Sequence, residues 1–185
     1  MKIEKLSISR KVGLIDKFKE LKFKVGVEIG THRGGYARDI CTRYPELTLY
    51  TLDPWLPFTE GDEVLDEDTM EAYFEEAKKT LSPFPNCTIL RETSMGALKY
   101  FADDSLDFVF VDGNHEYEEV YKDITEWAKK VRKGGIMVGH DYVKDDFRKY
   151  GIIEAVNRYV EENNIEPLYI LEKGTYVPCW LFYKK

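Results

Sequence analysis

Two clusters in this chain combine residue types and spacings that can do chemistry. The first is Val27-Glu28-Ile29-Gly30-Thr31-His32-Arg33-Gly34-Gly35, where a run of apolar residues gives way to glycine. Gly30 and Gly34 allow a tight strand-to-helix turn and let a ligand approach bare backbone, with a helix N-terminus behind it. Glu28 is an acid on an otherwise apolar, buried strand. Such a group costs desolvation energy unless it is partnered, and the ammonium of a methionine moiety would partner it, whereas a pyrophosphate would be repelled. Asp53, twenty-three residues beyond Gly30, can accept two hydrogen bonds from vicinal ribose hydroxyls. The glycine spacing is not G-x-G-x-x-G, which argues against a dinucleotide. An adenosine-containing ligand is expected. Thr93-Ser94-Met95 opens a helix, where the Ser94 hydroxyl either meets the adenine edge or caps the helix.

The second cluster is Asp112-Gly113-Asn114-His115-Glu116-Tyr117 together with His140-Asp141-Tyr142. Asp112, His140 and Asp141 would meet at one rim if they lie at neighbouring strand ends, and two carboxylates with one imidazole can bind a divalent ion. Oxygen ligands suit Mg²⁺ or Mn²⁺, and nitrogen shifts the preference toward Mn²⁺, Fe²⁺ or Zn²⁺. In the absence of metal, His115 or His140 is the natural base, because an unperturbed imidazole titrates near pH 6.5. Asp112 is also expected to border the methionine end of such an adenosine-containing ligand. The alternative for Asp112 is a turn anchor beside Gly113, and for His140 a strand-end cap.

Positioning these clusters requires strands that end where the clusters begin. Short β-rich runs at 24–30, 47–53, 87–93, 106–112 and 135–141 alternate with helical periods at about 34–44, 68–81, 94–102 and 117–132. Lys133 and Gly134-Gly135 mark the end of the last of these helices. Strand and helix in alternation imply right-handed crossovers and a parallel sheet covered on both faces, with ligands outside the carboxyl ends of the strands. An opening helix at about 8–20 packs ahead of the first strand. After a helix at roughly 146–163, residues 167–173 and 175–183 form two strands joined tightly at Gly174, which makes them antiparallel. The predicted fold is a doubly wound α/β domain with a mostly parallel seven-stranded sheet: five parallel strands plus a C-terminal antiparallel hairpin, with helices on both faces.

Composition sets the outer bounds. A length of 185 residues with 43% apolar and 33% charged residues fits one compact domain over 1–185 and excludes disordered, collagen-like and coiled-coil classes. The net charge of −7 argues against a nucleic-acid partner. Nine of the seventeen residues from Glu60 to Glu76 are acidic and none is basic, so the segment at about 54–68 is expected to be a mobile, solvated insert. No run of 18 apolar residues and no signal-peptide pattern is present, and the three cysteines form neither CxxC nor an even framework. A cytoplasmic protein without a membrane span is expected. An exposed apolar face on the terminal hairpin would support a homodimer. Trp55, Phe58, Tyr142 and Tyr36 fall near the rim and can stack on a ring or pack in the core; Trp127 and Trp180 are assigned to packing.

The second cluster, followed by Gly151-Ile-Ile-Glu-Ala-Val-Asn-Arg-Tyr-Val-Glu-Glu-Asn-Asn-Ile165, resembles the macrocin and novobiocin sugar O-methyltransferases, within the class I S-adenosylmethionine-dependent methyltransferases. Gly30-Thr31-His32-Arg33-Gly34-Gly35 is similar to their cofactor loop. The resemblance runs from about Lys24 to Ile165. It implies methyl transfer from S-adenosylmethionine to a hydroxyl of a small-molecule acceptor, with Thr31 among the cofactor contacts. Those enzymes carry three acids at a metal, and here the middle position is His140. Two other readings remain open at this point. One is a non-catalytic nucleoside-binding regulatory or partner-binding module on the same fold; the other is a nicotinamide-dependent oxidoreductase, which Glu28 and the missing dinucleotide fingerprint oppose.

Overall fold

The computed structural model describes residues 1–60, 63–144, 150–173 and 177–185. In chain order, β1 (Ile3–Leu6) is followed by a π-type turn at Arg10–Leu14, α1 (Ile15–Glu20), β2 (Val25–Ile29), α2 (Gly35–Arg43) and β3 (Thr48–Asp53). Then come β4 (Phe58–Glu60), β5 (Glu63–Leu65), α3 (Glu67–Leu81), β6 (Cys87–Arg91), α4 (Ser94–Ala97) and β7 (Leu106–Val111). The chain closes with α5 (Tyr117–Lys130), β8 (Val131–Gly139), α6 (Ile152–Glu162), β9 (Leu168–Leu171) and β10 (Cys179–Tyr183).

The doubly wound architecture expected from the alternation is present. One sheet runs β1-β9-β10-β8-β7-β2-β3-β6, and β10 is antiparallel to both neighbours. Residues of alternating parity along each strand enter opposite cores, as a pleated strand requires. Val27, Val109 and Met137 pack with Ile124 and Trp127 of α5 and with Val156 and Tyr159 of α6. Phe108, Phe110, Ile136 and Val138 pack on the other face, against Ile15 and Phe18 of α1 and Ala37 and Ile40 of α2. Because both faces are covered, the central strands read as nearly continuous apolar runs.

The sheet has an eighth strand, β1, which the periodicity did not reveal. It is a four-residue edge strand parallel to β9, with Glu4 and Lys5 at its centre and Ile3 exposed. Edge strands are short and charged for good reason, and that erases their apolar signature. The expected opening helix at 8–20 is a capped π-type turn, in which Ser9 Oγ accepts from the Val12 and Gly13 amides, leading into the shorter α1. The α4 helix stops at Ala97 and gives way to a 3₁₀ turn at Leu98–Tyr100, because Phe101 leaves the helix to pack on Tyr50 and Trp127.

Gly134-Gly135 does not separate helix from strand. The α5 helix ends at Lys130, and β8 starts at once with buried Val131, running through the glycines at an irregularity in its register with β7. A Cβ on Gly135 would lie 2.6 Å from the Asp107 carbonyl oxygen, so the close approach of the two backbones requires glycine there.

Within the acidic insert, Phe58–Glu60 and Glu63–Leu65 pair antiparallel; residues 61–62 lie outside the described residues. So do the first residues of the expected helix at 146–163, of which Ile152–Glu162 is helical, and the expected connection at Gly174. The terminal strand is no surface feature. β10 lies between β8 and β9 with Cys179, Trp180, Leu181 and Phe182 all buried, so its apolar residues offer no face to a second copy. Among the described residues, no helix is long and apolar enough to cross a membrane.

Candidate functional site

A row of backbone hydrogen bonds just beyond the carboxyl ends of four adjacent strands frames the site. The Gly30 amide donates to Leu52 O at 2.9 Å, the Asp112 amide to Ile29 O at 2.8 Å, and the His140 amide to Val111 O at 3.1 Å. Gly30 has φ +93°, and a Cβ there would sit 1.9 Å from the Asp112 carbonyl oxygen. Only glycine fits. Gly34, at φ +77°, is the residue from which α2 starts. Above this row lies a cavity of about 700 Å³, within the range of roughly 300–1,000 Å³ usual for small-molecule sites. Its walls include Gly30, Asp53, Ser94, Asp112, His115 and Asp123, and its mouth carries Leu56, Phe58 and Leu65 from the acidic insert.

At one end of the cavity the acids are held by neutral donors. Asp53 Oδ1 accepts the Trp55 amide and Oδ2 the His32 amide, both at 2.9 Å. Burial still raises its carboxyl above the usual range. Each carboxylate oxygen keeps a second lone pair for a ligand. Glu28 does not line the cavity. It is 1% exposed, accepts a hydrogen bond from Thr51 Oγ1, and burial pushes its carboxyl up to about 8. Thr31 is buried behind it, its hydroxyl 2.6 Å from that of Thr51. The partner that Glu28 has in the structure is therefore a threonine. The cap of α4 is Thr93, whose hydroxyl accepts the Gly96 amide at 3.0 Å. Ser94 donates instead to Asp123 and accepts the Trp127 indole N–H at 2.7 Å.

The other end is built from charges. Asp112 Oδ2 accepts from the Arg10 guanidinium at 3.0 Å, and Oδ1 lies 3.6 Å from His140 Nδ1. Arg10 is itself held over the Tyr36 ring, 4.8 Å from its centroid, and its carbonyl accepts the Tyr36 hydroxyl at 3.2 Å. Asp141 Oδ2 faces two imidazoles, His140 Nδ1 at 2.9 Å and His115 Nε2 at 3.2 Å. Burial acts to raise the Asp141 carboxyl, but the two histidine contacts outweigh it and hold the group well below the usual range. Burial raises Asp112, against the pull of His140 and Arg10.

The structure thus brings Asp112, His115, His140 and Asp141 together as the strand order predicts, but in two tiers. Asp112 and His115 line the cavity, whereas His140 borders only a small hollow beside Trp180. The three ligand atoms that lie within 4.8 Å of one another come from Asp112, His115 and Asp141, where the sequence pointed to His140 as the nitrogen donor. This mixed set suits Mn²⁺, Fe²⁺ or Zn²⁺ better than Mg²⁺.

Of the rim aromatics, Phe58 lines the cavity mouth, while Tyr36 and Trp55 are buried. Trp55 packs on Phe74, and the Tyr142 hydroxyl donates to Asn157 at 2.8 Å. Trp127 and Trp180 pack in the core as expected. Arg10 and Asp123 were not anticipated. Asp123 did carry a signal: it falls among Val120, Ile124 and Trp127 on the apolar stripe of α5. Arg10, in an irregular turn, carried none.

A family described as "Methyltransferase domain" matches residues 27–142. The chain belongs to that family. A protein of Sinorhizobium fredii, itself uncharacterized, is 29% identical over 119 residues, which is 62% of this chain and 13% of the relative. A second, from Acanthamoeba polyphaga mimivirus, is 33% identical over 76 residues, 40% of this chain and 30% of its own. The chain therefore spans less than a third of the length of either curated relative. Among solved structures, an O-methyltransferase family protein from Burkholderia thailandensis superposes with TM-score 0.64 at 14% identity, over 93% of this chain and 55% of its own. Spermidine synthase from Thermotoga maritima superposes equally well, with TM-score 0.64 at 15% identity over 92% and 57%. These likenesses establish the fold.

Proposed function

We propose that the chain is an S-adenosylmethionine-dependent methyltransferase that methylates a hydroxyl of a small molecule, in the manner of the macrocin and novobiocin group. The observation that carries the reading is the single cavity joining Asp53 to Asp112 and His115 across the Gly30 cradle. Its size and its bare backbone fit the cofactor. Bound there, S-adenosylmethionine supplies a methyl group already activated by sulfonium charge.

The chain's own residues then have defined tasks. Asp53 accepts the ribose hydroxyls with the lone pairs its two amide contacts leave over. Gly30 lets the cofactor lie against backbone. Asp112, fixed by Arg10, borders the methionine end and orients the acceptor. His115 takes the acceptor's proton, and Asp141, facing its Nε2, stabilises the imidazolium that forms. His140 is the second donor that keeps Asp141 ionised and in place.

A divalent ion is the second reading. Held by Asp112, His115 and Asp141, it would lower the pKa of an acceptor hydroxyl as a Lewis acid. The donor set favours it; the guanidinium already seated on Asp112 favours the metal-free route.

Calorimetric titration with S-adenosylmethionine and S-adenosylhomocysteine, each with a divalent ion and with chelator, tests the reading. Saturable binding near the micromolar range, about −8 kcal/mol, is expected. Absence of binding in every condition overturns the methyltransferase reading. Methyl transfer to hydroxylated acceptors that chelator abolishes selects the ion; transfer that survives chelator selects His115.

A further inference from the structure

Asp123 lines the cavity and has no task in the scheme above. It is 5% exposed, on the face of α5 that also buries Val120, Ile124 and Trp127. The only hydrogen bond to its carboxylate among the described residues comes from the Ser94 hydroxyl, to Oδ1. The Ser94 oxygen is in turn occupied by the Trp127 indole, so the hydroxyl cannot turn away to serve a ligand without breaking this chain. No hydrogen bond from a described residue reaches Oδ2, and since the side chain is more than nine-tenths buried yet lines the cavity, that oxygen is left as an acceptor for a ligand's donor.

The order of the strands says which part of a ligand lies there. Asp112 ends β7, Gly30 follows β2, Asp53 ends β3, and Ser94 follows β6, the next strand outward. A nucleoside with its reactive end at Asp112 and its ribose on Asp53 has its base over Ser94 and Asp123. Resting on the adenosyl-cofactor reading, we infer that Asp123 reads the base: it accepts the exocyclic amino group of a 6-aminopurine and rejects a 6-oxopurine. A carbonyl in that place would face the carboxylate oxygen with no proton between them. Burial pushes the Asp123 carboxyl up to about 6, which leaves it ionised, and an acceptor only, at neutral pH and above.

The test is to titrate the full chain at pH 8 with S-adenosylhomocysteine and with its 6-oxo analogue, S-inosylhomocysteine, and to repeat both with Asp123→Asn. The wild-type chain is expected to bind the inosyl compound about 10- to 100-fold more weakly, the effect of one unmade hydrogen bond to a charged group. Asp123→Asn keeps an oxygen for Ser94 and presents an N–H to the base, so the preference should shrink to about threefold or invert. A preference unchanged in a folded Asp123→Asn overturns the assignment. If that variant does not fold, the wild-type comparison decides alone, since equal binding of the two compounds also overturns it. Failure of the wild-type chain to bind even S-adenosylhomocysteine would overturn the cofactor reading together with this one, whereas binding without discrimination would overturn only the role of Asp123.

Discussion

The two ends of the cavity satisfy their buried acids in opposite ways. Around the ends of β3 and β6, Asp53 and Asp123 of α5, with Glu28 buried on β2 outside the cavity, receive hydrogen bonds from hydroxyls and backbone amides, all neutral. Burial prevails there, and all three carboxyls are pushed up, Glu28 to about 8 and Asp123 to about 6. Between β7 and β8, Asp141 is burdened by burial too, yet two imidazoles draw it down, and Asp112 has His140 and Arg10 pulling against its burial. With neutral donors burial raises the carboxyl unopposed, whereas charged neighbours draw it back, past the ordinary range at Asp141 and only in part at Asp112, which stays raised. One end is thus suited to recognising a ligand by shape and hydrogen bonding, the other to holding charge where a proton moves.

The comparison breaks at predictable points. The largest effect belongs to Asp112→Asn, which should lower methyl transfer at least about 1,000-fold by removing a charge at the reacting end. Calorimetry on the same variant should find S-adenosylhomocysteine affinity within about tenfold of wild type; complete loss of binding would move Asp112 to the cofactor end. Next is Gly30→Ala, whose methyl would meet the Asp112 carbonyl in a left-handed backbone. It should cost about 3 kcal/mol or more and lower Tm by about 6–12 °C in a thermal melt.

Glu28→Gln addresses the neutral end alone. The Glu28 carboxyl holds its proton more tightly in the folded chain than in the unfolded one, where it titrates near 4.5. Its contribution is therefore full below that value and is lost as pH rises through about 8. The glutamine cannot ionise, so from pH 6 to pH 9 the variant should lose about 2 kcal/mol less stability than wild type in denaturant titrations. Because Glu28 does not line the cavity, its cofactor affinity should change less than about threefold. A loss of tenfold or more would return Glu28 to the cofactor's ammonium.

The smallest effect is that of Arg10→Leu. Loss of the guanidinium lets burial raise the Asp112 carboxyl further, so the acid limb of the pH–rate profile should move to higher pH. An unmoved limb would separate Arg10 from the charge balance of the reacting end. At Asp141 the sign is reversed relative to Glu28: its contribution to stability is present above the ordinary carboxylate range and is lost as pH falls through its depressed folded value.

The strands that carry the site were legible because both of their faces are buried, which makes Val25–Ile29, Leu106–Val111 and Ile136–Gly139 stand out as apolar runs ending in glycine or acid. The strand that carries none of it, Ile3–Leu6, was not legible, for its exposed edge is charged. Spacing along the chain placed Asp112, His115, His140 and Asp141 at one rim. It did not say which imidazole would face the cavity, since that depends on how the Gly113–Glu116 turn folds over the sheet: the His115 carbonyl accepts the Gly151 amide at 2.9 Å, and its ring packs 4.4 Å from that of Tyr150. Glu28 was legible only in part for a related reason. A lone acid on an apolar strand signals a partner, but its partner is Thr51 on the neighbouring strand, a pairing that only the register of β2 with β3 discloses.

The row of amides beyond the strand ends also fixes a scale. Gly30, Asp112 and His140 are each bonded to the strand next door, so the distances across the site advance in steps of one strand spacing, roughly 4.8 Å. On the proposed reading, the gap between the ribose acid Asp53 and Asp112, at the ends of β3 and β7 with β2 between them, is thereby written into the sheet itself. On the same reading, acceptor choice falls to the Phe58–Leu65 hairpin, whose Phe58 and Leu65 line the cavity. That hairpin can change length and composition while the spacing set by the strands stays the same.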